Sequence, residues 1–355
     1  MTLRLIHDPD GLNTAVWPIA DGALITPADD FFTRSHAAVP EIDPAAWRLE
    51  VAGLVERPAT FTLEALVRDL PRHEVSATIV CAGMRRVEFF TIGPLPGELP
   101  WGPEAASTGV WSGVALRDVL DLVGVRNDAR FVELTGLDSV ERDGQRFGFG
   151  GSLDLDKARG GEVLLATELN GAPLSPAHGF PLRAVVPGWI GARSVKWLGR
   201  IALLAEPSPN YFQQKAYRVQ RVHTPGDPRD VSRGEALEAV AVNSVIVEPQ
   251  QSQIVPAGNV RVRGWAIGTA CEPLATVEVG RDGSDDWVGA RIHSGGSRWT
   301  WSHWEAALEL PPGEHTLAVR AADTAGHTQP QTLGETWNVK GYANNAWHRV
   351  TIHAE

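Results

Sequence analysis

The chain has 355 residues, 43% of them hydrophobic and 21% charged, which suits a globular protein with at least two cores. Its formal net charge of -11 argues against nucleic acid as a main partner, because phosphate binding needs clustered lysine and arginine. No run approaches the roughly 20 apolar residues of a membrane-spanning helix, and two cysteines, Cys81 and Cys271, supply no CxxC, haem attachment or iron–sulfur ligand set.

Residues 1–45 read as an irregular arm rich in Pro and Asp. MTLRLIHDPDGLNT has neither a twin-arginine pair nor an apolar h-region. As written this implies a cytoplasmic protein; removal of an export signal would make it periplasmic. Between 46 and 225 the pattern is mixed α/β. RLEVAGLV reads as a strand ended by Arg57-Pro58, and TLEALVRDL as a helix with Thr62 as N-cap and Glu64 in its first turn. HEVSATIVCAG is a strand running into a turn, GVALRDVLDLVGV an amphipathic helix closed by Gly124, and RFVELTGLD a further strand. Strands and glycine-rich loops continue to about residue 205. RVHTPGDPRDVSRGEALEA is a polar linker. From 226 to 355 short runs follow one another between Gly, Pro and Asp turns: SVIVEP, VRVRGWAIG, ATVEVGRDG, WVGARI, WTWSHWEAALEL, EHTLAVRAAD and TWNVKGY. They predict an immunoglobulin-like β-sandwich, so the fold class is α+β, a mixed α/β domain followed by a sandwich.

Cys81 ends the apolar strand SATIV and opens CAGMRR. Small Ala82 and Gly83 leave its sulfur accessible at the mouth of a turn, and Arg85 and Arg86 make the surroundings cationic. Positive charge lowers a thiol's pKa and favours the thiolate that binds soft metals. A free cysteine is otherwise usually a buried core residue, so its context decides. FFTRSH (31–36), CAGMRR (81–86), LPWG (99–102), GLD (136–138), HGFPLRAVVPGWIGARSVKWL (178–198) and GETWNVKGYANNAWHRV (334–350) each resemble a stretch of the sulfite oxidase family, in the same order along nearly the whole chain.

The resemblance implies a molybdopterin-binding domain, a molybdenum held by Cys81, and oxidation of sulfite to sulfate by oxygen-atom transfer. It assigns cofactor contacts to Phe32, Thr33, Arg34, Ser35, His36, Asp138, His178, Arg183, Ser194, Val195 and Lys196. The residue types suit that work. Arg183 and Lys196 would neutralise a phosphate, Asp138 would accept from an amino-pterin edge, and the glycines of GWIGARS would let amides approach an anion. The substrate pocket is assigned Arg34, Arg86, Trp101 and Tyr217. Lys340 of WNVKG stands where the family usually has a third arginine, which keeps the charge but loses bidentate geometry. The resemblance also implies a homodimer built by the sandwich and, without a haem domain here, an external electron acceptor such as a c-type cytochrome. Two alternatives stand beside it. One is a molybdenum-dependent reductase of nitrate or a sulfoxide; the other, from the sandwich alone, is a binding or adhesion protein with no metal.

Overall fold

In the computed structural model residues 4–6, 12–16, 23–220, 233–293 and 297–355 are described. Two sheets build the first half. One runs in the order Gly150–Asp154, Phe131–Gly136, Leu198–Leu204, Leu49–Gly53, Ala59–Phe61, with its only parallel pairing between Leu198–Leu204 and Leu49–Gly53. The other sets Ala106–Ala115 between Arg72–Val80 and Leu164–Leu169, and Leu164–Leu169 also pairs with Ala172–Pro173 and Arg183–Val185. Leu49, Val51, Leu134, Ile201 and Leu203 turn their apolar faces into a shared, fully buried core.

Local chemistry places the helices. Thr62 caps Leu63–Asp69 by accepting from Ala65 N at 3.1 Å. Leu116–Val123 buries Leu116, Val119, Leu120 and Val123, one face at helical spacing, and ends at Gly124 with φ 71°. That helix begins three residues later than GVALRDVLDLVGV predicts. Gly113 still belongs to the strand Ala106–Ala115, where an added Cβ would stand 2.1 Å from the Leu165 carbonyl oxygen of the neighbouring strand.

The second half is a two-sheet sandwich. Asn243–Glu248, Gly258–Ile267, Ser302–Leu310 and Arg291–His293 form one sheet. Ile254–Val255, His348–Ala354, Gly313–Asp323, Leu274–Arg281 and Trp287–Gly289 form the other. Val262, Val279, Leu317, Val319 and Ile352 fill the space between them. One element differs from expectation. TWNVKGY reads as a strand, yet Leu333–Thr336 is a short helix and the segment after it is a turn. Asn338 Oδ1 accepts from the amides of Lys340 and Tyr342, and its Nδ2 donates to the carbonyls of Thr336 and Tyr342. A side chain that binds its own backbone this way competes with a β ladder. The last strand is instead His348–Ala354. Of the predicted linker, 221–232 lies outside the described residues, while Arg218–Val219 and Glu235–Ala236 on either side of it pair antiparallel.

The halves are joined through polar contacts. Thr78 N donates to the Trp299 carbonyl at 2.9 Å, Thr78 Oγ1 accepts from Trp301 N at 2.8 Å, and Ala343 N donates to the Ala82 carbonyl at 2.7 Å. The last contact brings the turn that carries Lys340 onto the cysteine loop.

Candidate active site

The strand Arg72–Val80 delivers Cys81 to the edge of a cavity. The cysteine loop folds back at once: Met84 N donates to the Cys81 carbonyl, and Arg85 N and Val87 N donate to the carbonyls of Gly102 and Trp101. Thus CAGMRR and LPWG, far apart in sequence, brace each other. Phe32, Thr33, Arg34, Ser35, His36, Cys81, Asp138, His178, Arg183, Ser194, Lys196 and Tyr217 all line this cavity. It has the few convergent polar groups of a cofactor site.

Its floor is cationic. Arg183 donates to the carbonyls of His178 and Ser194, each at 3.1 Å, and lies over the Trp111 ring. Lys196 Nζ donates to Ser35 Oγ at 2.7 Å and to the Ala177 carbonyl at 2.9 Å. Among the described residues neither forms an ion pair. Burial pushes Arg183 down to about 9, and burial with the nearby Arg183 charge holds Lys196 well below its ordinary value. Two buried cations whose hydrogen-bond partners here are carbonyls and a hydroxyl, beside the ring faces of Trp111 and Trp197, are unfavourable unless an anion joins them. Asp138 faces the same cavity, accepts from Phe149 N at 2.9 Å, and is raised by burial. This donor and acceptor set fits a pterin with a phosphate.

Arg34 NH1 donates to Asn13 Oδ1 at 3.0 Å and to the Ser35 carbonyl, while its NH2 lies 3.3 Å from His36 Nδ1. His36 Nε2 is 2.7 Å from the Tyr217 hydroxyl. Burial, then the Arg34 charge, holds His36 far below its ordinary pKa, so the ring is neutral. Arginine can only donate, so Nδ1 accepts and the single ring proton sits on Nε2, donating to Tyr217 Oη. The Tyr217 proton is then free to point elsewhere, and burial pushes that phenol up to about 12.

Four assigned residues do not line the cavity. Val195 is a core residue whose carbonyl accepts from Ala184 N. Trp101 is fully buried one layer behind, its ring edge-on to Phe32 at 6.4 Å. Arg86 lies under the cysteine loop, and Lys340 bonds Glu98 at 2.7 Å. Of the two arginines expected to charge the surroundings of Cys81, Arg86 acts on the thiol together with Arg34, whereas Arg85 pairs with Glu88, and the positive charge does not prevail. Burial raises the thiol's pKa, outweighing the opposing charges of Arg86 and Arg34. A soft metal would therefore have to displace a proton as it binds. Gly188 also differs from expectation: it packs against Ala270 of the sandwich, while Gly191 of the same loop reaches the cavity.

Sequence reasoning passed over Asn13, Phe149, Trp197 and Glu98. Trp197 lines the cavity from inside the longest matched segment, where its indole reads as core. Asn13 accepts from both Arg34 and the Ser35 amide, and nothing in the arm marks it out.

Known proteins share these features. Residues 36–212 match the oxidoreductase molybdopterin binding domain and 235–355 the Mo-co oxidoreductase dimerisation domain. Sulfite oxidase of Gallus gallus is 36% identical over 92% of this chain and 72% of its own length. The chain belongs to the sulfite oxidase family. As in that family, its cofactor is molybdopterin-bound molybdenum, and it is an oxidoreductase of the sulfite oxidase type. The chain spans between 61% and 72% of the animal sulfite oxidases it matches. Nitrate reductase [NAD(P)H] of Hordeum vulgare is also 36% identical, over 93% of this chain and 39% of its own. Among solved structures, sulfane dehydrogenase SoxCD from Paracoccus pantotrophus superposes with a TM-score of 0.78 at 25% identity, covering 94% of this chain and 84% of that one.

Proposed function

We propose that this sulfite oxidase family member oxidises sulfite to sulfate and passes the electrons to an external acceptor such as a c-type cytochrome. The observation that carries the reading is the cavity itself: a cysteine sulfur at its edge, and at its floor buried Arg183 and Lys196, which have no ion-pair partner among the described residues. Cys81 would hold the metal. Arg183, Lys196, Ser35 and Ser194 would hold the phosphate, with Asp138 and His178 along the pterin. When bound, the molybdenum centre supplies two-electron oxygen-atom transfer, and the chain binds, orients and tunes. Arg34 and the Tyr217 hydroxyl would fix the oxyanion, His36 holding that hydroxyl so that its proton faces the substrate. The match of 235–355 to a dimerisation domain supports a homodimer. No helix among the described residues is long and apolar enough to cross a membrane.

A second reading, reduction of nitrate, is favoured by the equal identity to the barley enzyme. The test is sulfite-dependent reduction of ferricyanide by purified protein of measured molybdenum content, beside a Cys81→Ser variant. Turnover should scale with metal and vanish in the variant while the fold, followed by circular dichroism, persists. Nitrate-dependent oxidation of a reduced dye, without sulfite turnover, would establish the second reading instead.

A further inference from the structure

One carboxylate stands between the two cations from the cysteine loop and the sandwich. Glu98 Oε1 accepts from Lys340 Nζ at 2.7 Å, and its Oε2 lies 3.3 Å from Arg86 NH2. The remaining Arg86 donors are committed: Nε to the carbonyls of Lys340 and Gly341, NH1 to that of Leu99. Its guanidinium also lies 5.2 Å from the centre of the Tyr342 ring. Arg86 is therefore fixed, with a side chain 4% exposed, whereas the Lys340 side chain is 33% exposed. Apart from Glu98, no other partner of the Lys340 ammonium is seen among the described residues. A lysine on a four-carbon stem can exchange one acceptor for another, where an arginine would grip a carboxylate with two parallel bonds. The Glu98 charge also reaches Cys81 and Tyr217, opposing Arg86 at both.

We propose that Glu98 is an internal anion of the oxyanion pocket, which holds Lys340 when no substrate is present and yields it to an incoming oxyanion. This rests on the proposed oxidation of sulfite and on the family resemblance that assigns Arg86 and Lys340 to the substrate pocket, where they stand beside the cavity rather than in its lining. The chain thereby sets its own substrate affinity: the oxyanion has to compete with a carboxylate already bound. Glu98 is a specificity-determining residue here and takes no part in the transfer step.

The test uses molybdenum-loaded protein with two readouts, the KM for sulfite and the affinity for sulfate, an unreactive oxyanion, by titration calorimetry. Glu98→Gln should tighten sulfate binding about tenfold and raise kcat/KM for sulfite by a similar factor, carried by KM. In a Lys340→Met background the same substitution should change either value by less than about twofold. Should the glutamine variant not fold, Glu98→Asp, too short to span both cations, takes its place with a gain in the same direction. Unchanged sulfate affinity and KM would overturn the proposal, as would a gain that persists without Lys340. Tighter sulfate binding in a protein that never turns over sulfite would uphold Glu98 and overturn the sulfite reading.

Discussion

Lys196 and Arg183 would cost stability in cofactor-free protein. A buried cation without an anionic partner destabilises a fold by several kcal/mol, and here the two also repel each other. Replacing Lys196 by Met should therefore leave the metal-free protein as stable as the parent or more so, while cofactor retention falls at least about tenfold. Thermal melts and molybdenum analysis of the same preparations check both halves; lower stability with normal metal would refute the assignment. Tyr217→Phe removes the proton aimed at substrate but keeps the ring against Tyr342, 5.4 Å away. Its kcat/KM for sulfite should fall about tenfold or more with molybdenum unchanged, and an unaltered rate would exclude the hydroxyl from the site. At this scale the residues drawn from FFTRSH, the cysteine and HGFPLR were legible, because each segment keeps its chemistry within a few positions. Asn13 and Glu98 were not, because an Asn or Glu acquires meaning only from the partners that the fold brings to it.

Elements were legible where a cap or a periodicity is written locally. Thr62 and Gly124 both mark real helix ends, and apolar alternation marks most sandwich strands. The turn around Asn338 was not, since its Trp, Val and Tyr neighbours imitate a strand while one amide side chain fixes four backbone groups. That misreading bears on function, because the turn carries Lys340. The Thr62 cap offers a simple check on how far such local signals determine stability. Thr62→Ala should cost about 1 kcal/mol, read as a shifted urea midpoint at constant slope, and Thr62→Ser should recover most of it. No shift with Ala would mean that packing of Leu66 alone holds the helix.

Across the whole molecule, the half carrying the cavity and the sandwich half share a buried polar network that periodicity could not reveal. Arg85, fully buried, grips both Glu88 carboxylate oxygens through Nε and NH2, each at 2.7 Å, while its NH1 donates to Asn243 Oδ1 and the Ala346 carbonyl of the sandwich. Burial would raise Glu88, but the charge and hydrogen bonds of Arg85 leave it lowered. His348 closes the network. Its Nδ1 accepts from Ile246 N at 3.1 Å, and Glu88 lies 3.9 Å from its other nitrogen. Burial, then the Arg85 charge, brings His348 down to about 4, with Glu88 opposing and Arg349 adding a smaller push in the same direction. The folded state thus keeps the ring neutral where the unfolded chain, titrating near 6.5, already binds a proton. Stability from this group is complete above pH 6.5 and drains away as pH falls toward 4, by about 3 kcal/mol in all. His178, also lowered to about 4, acts in the same direction, so the comparison has to be with a variant. His348→Gln keeps an acceptor for the Ile246 amide and has nothing to titrate. Urea unfolding of parent and variant between pH 7 and 4 should give curves that converge by about 3 kcal/mol. Parallel curves would show that the ring reaches solvent and that the junction between the halves opens well before the rest of the chain unfolds.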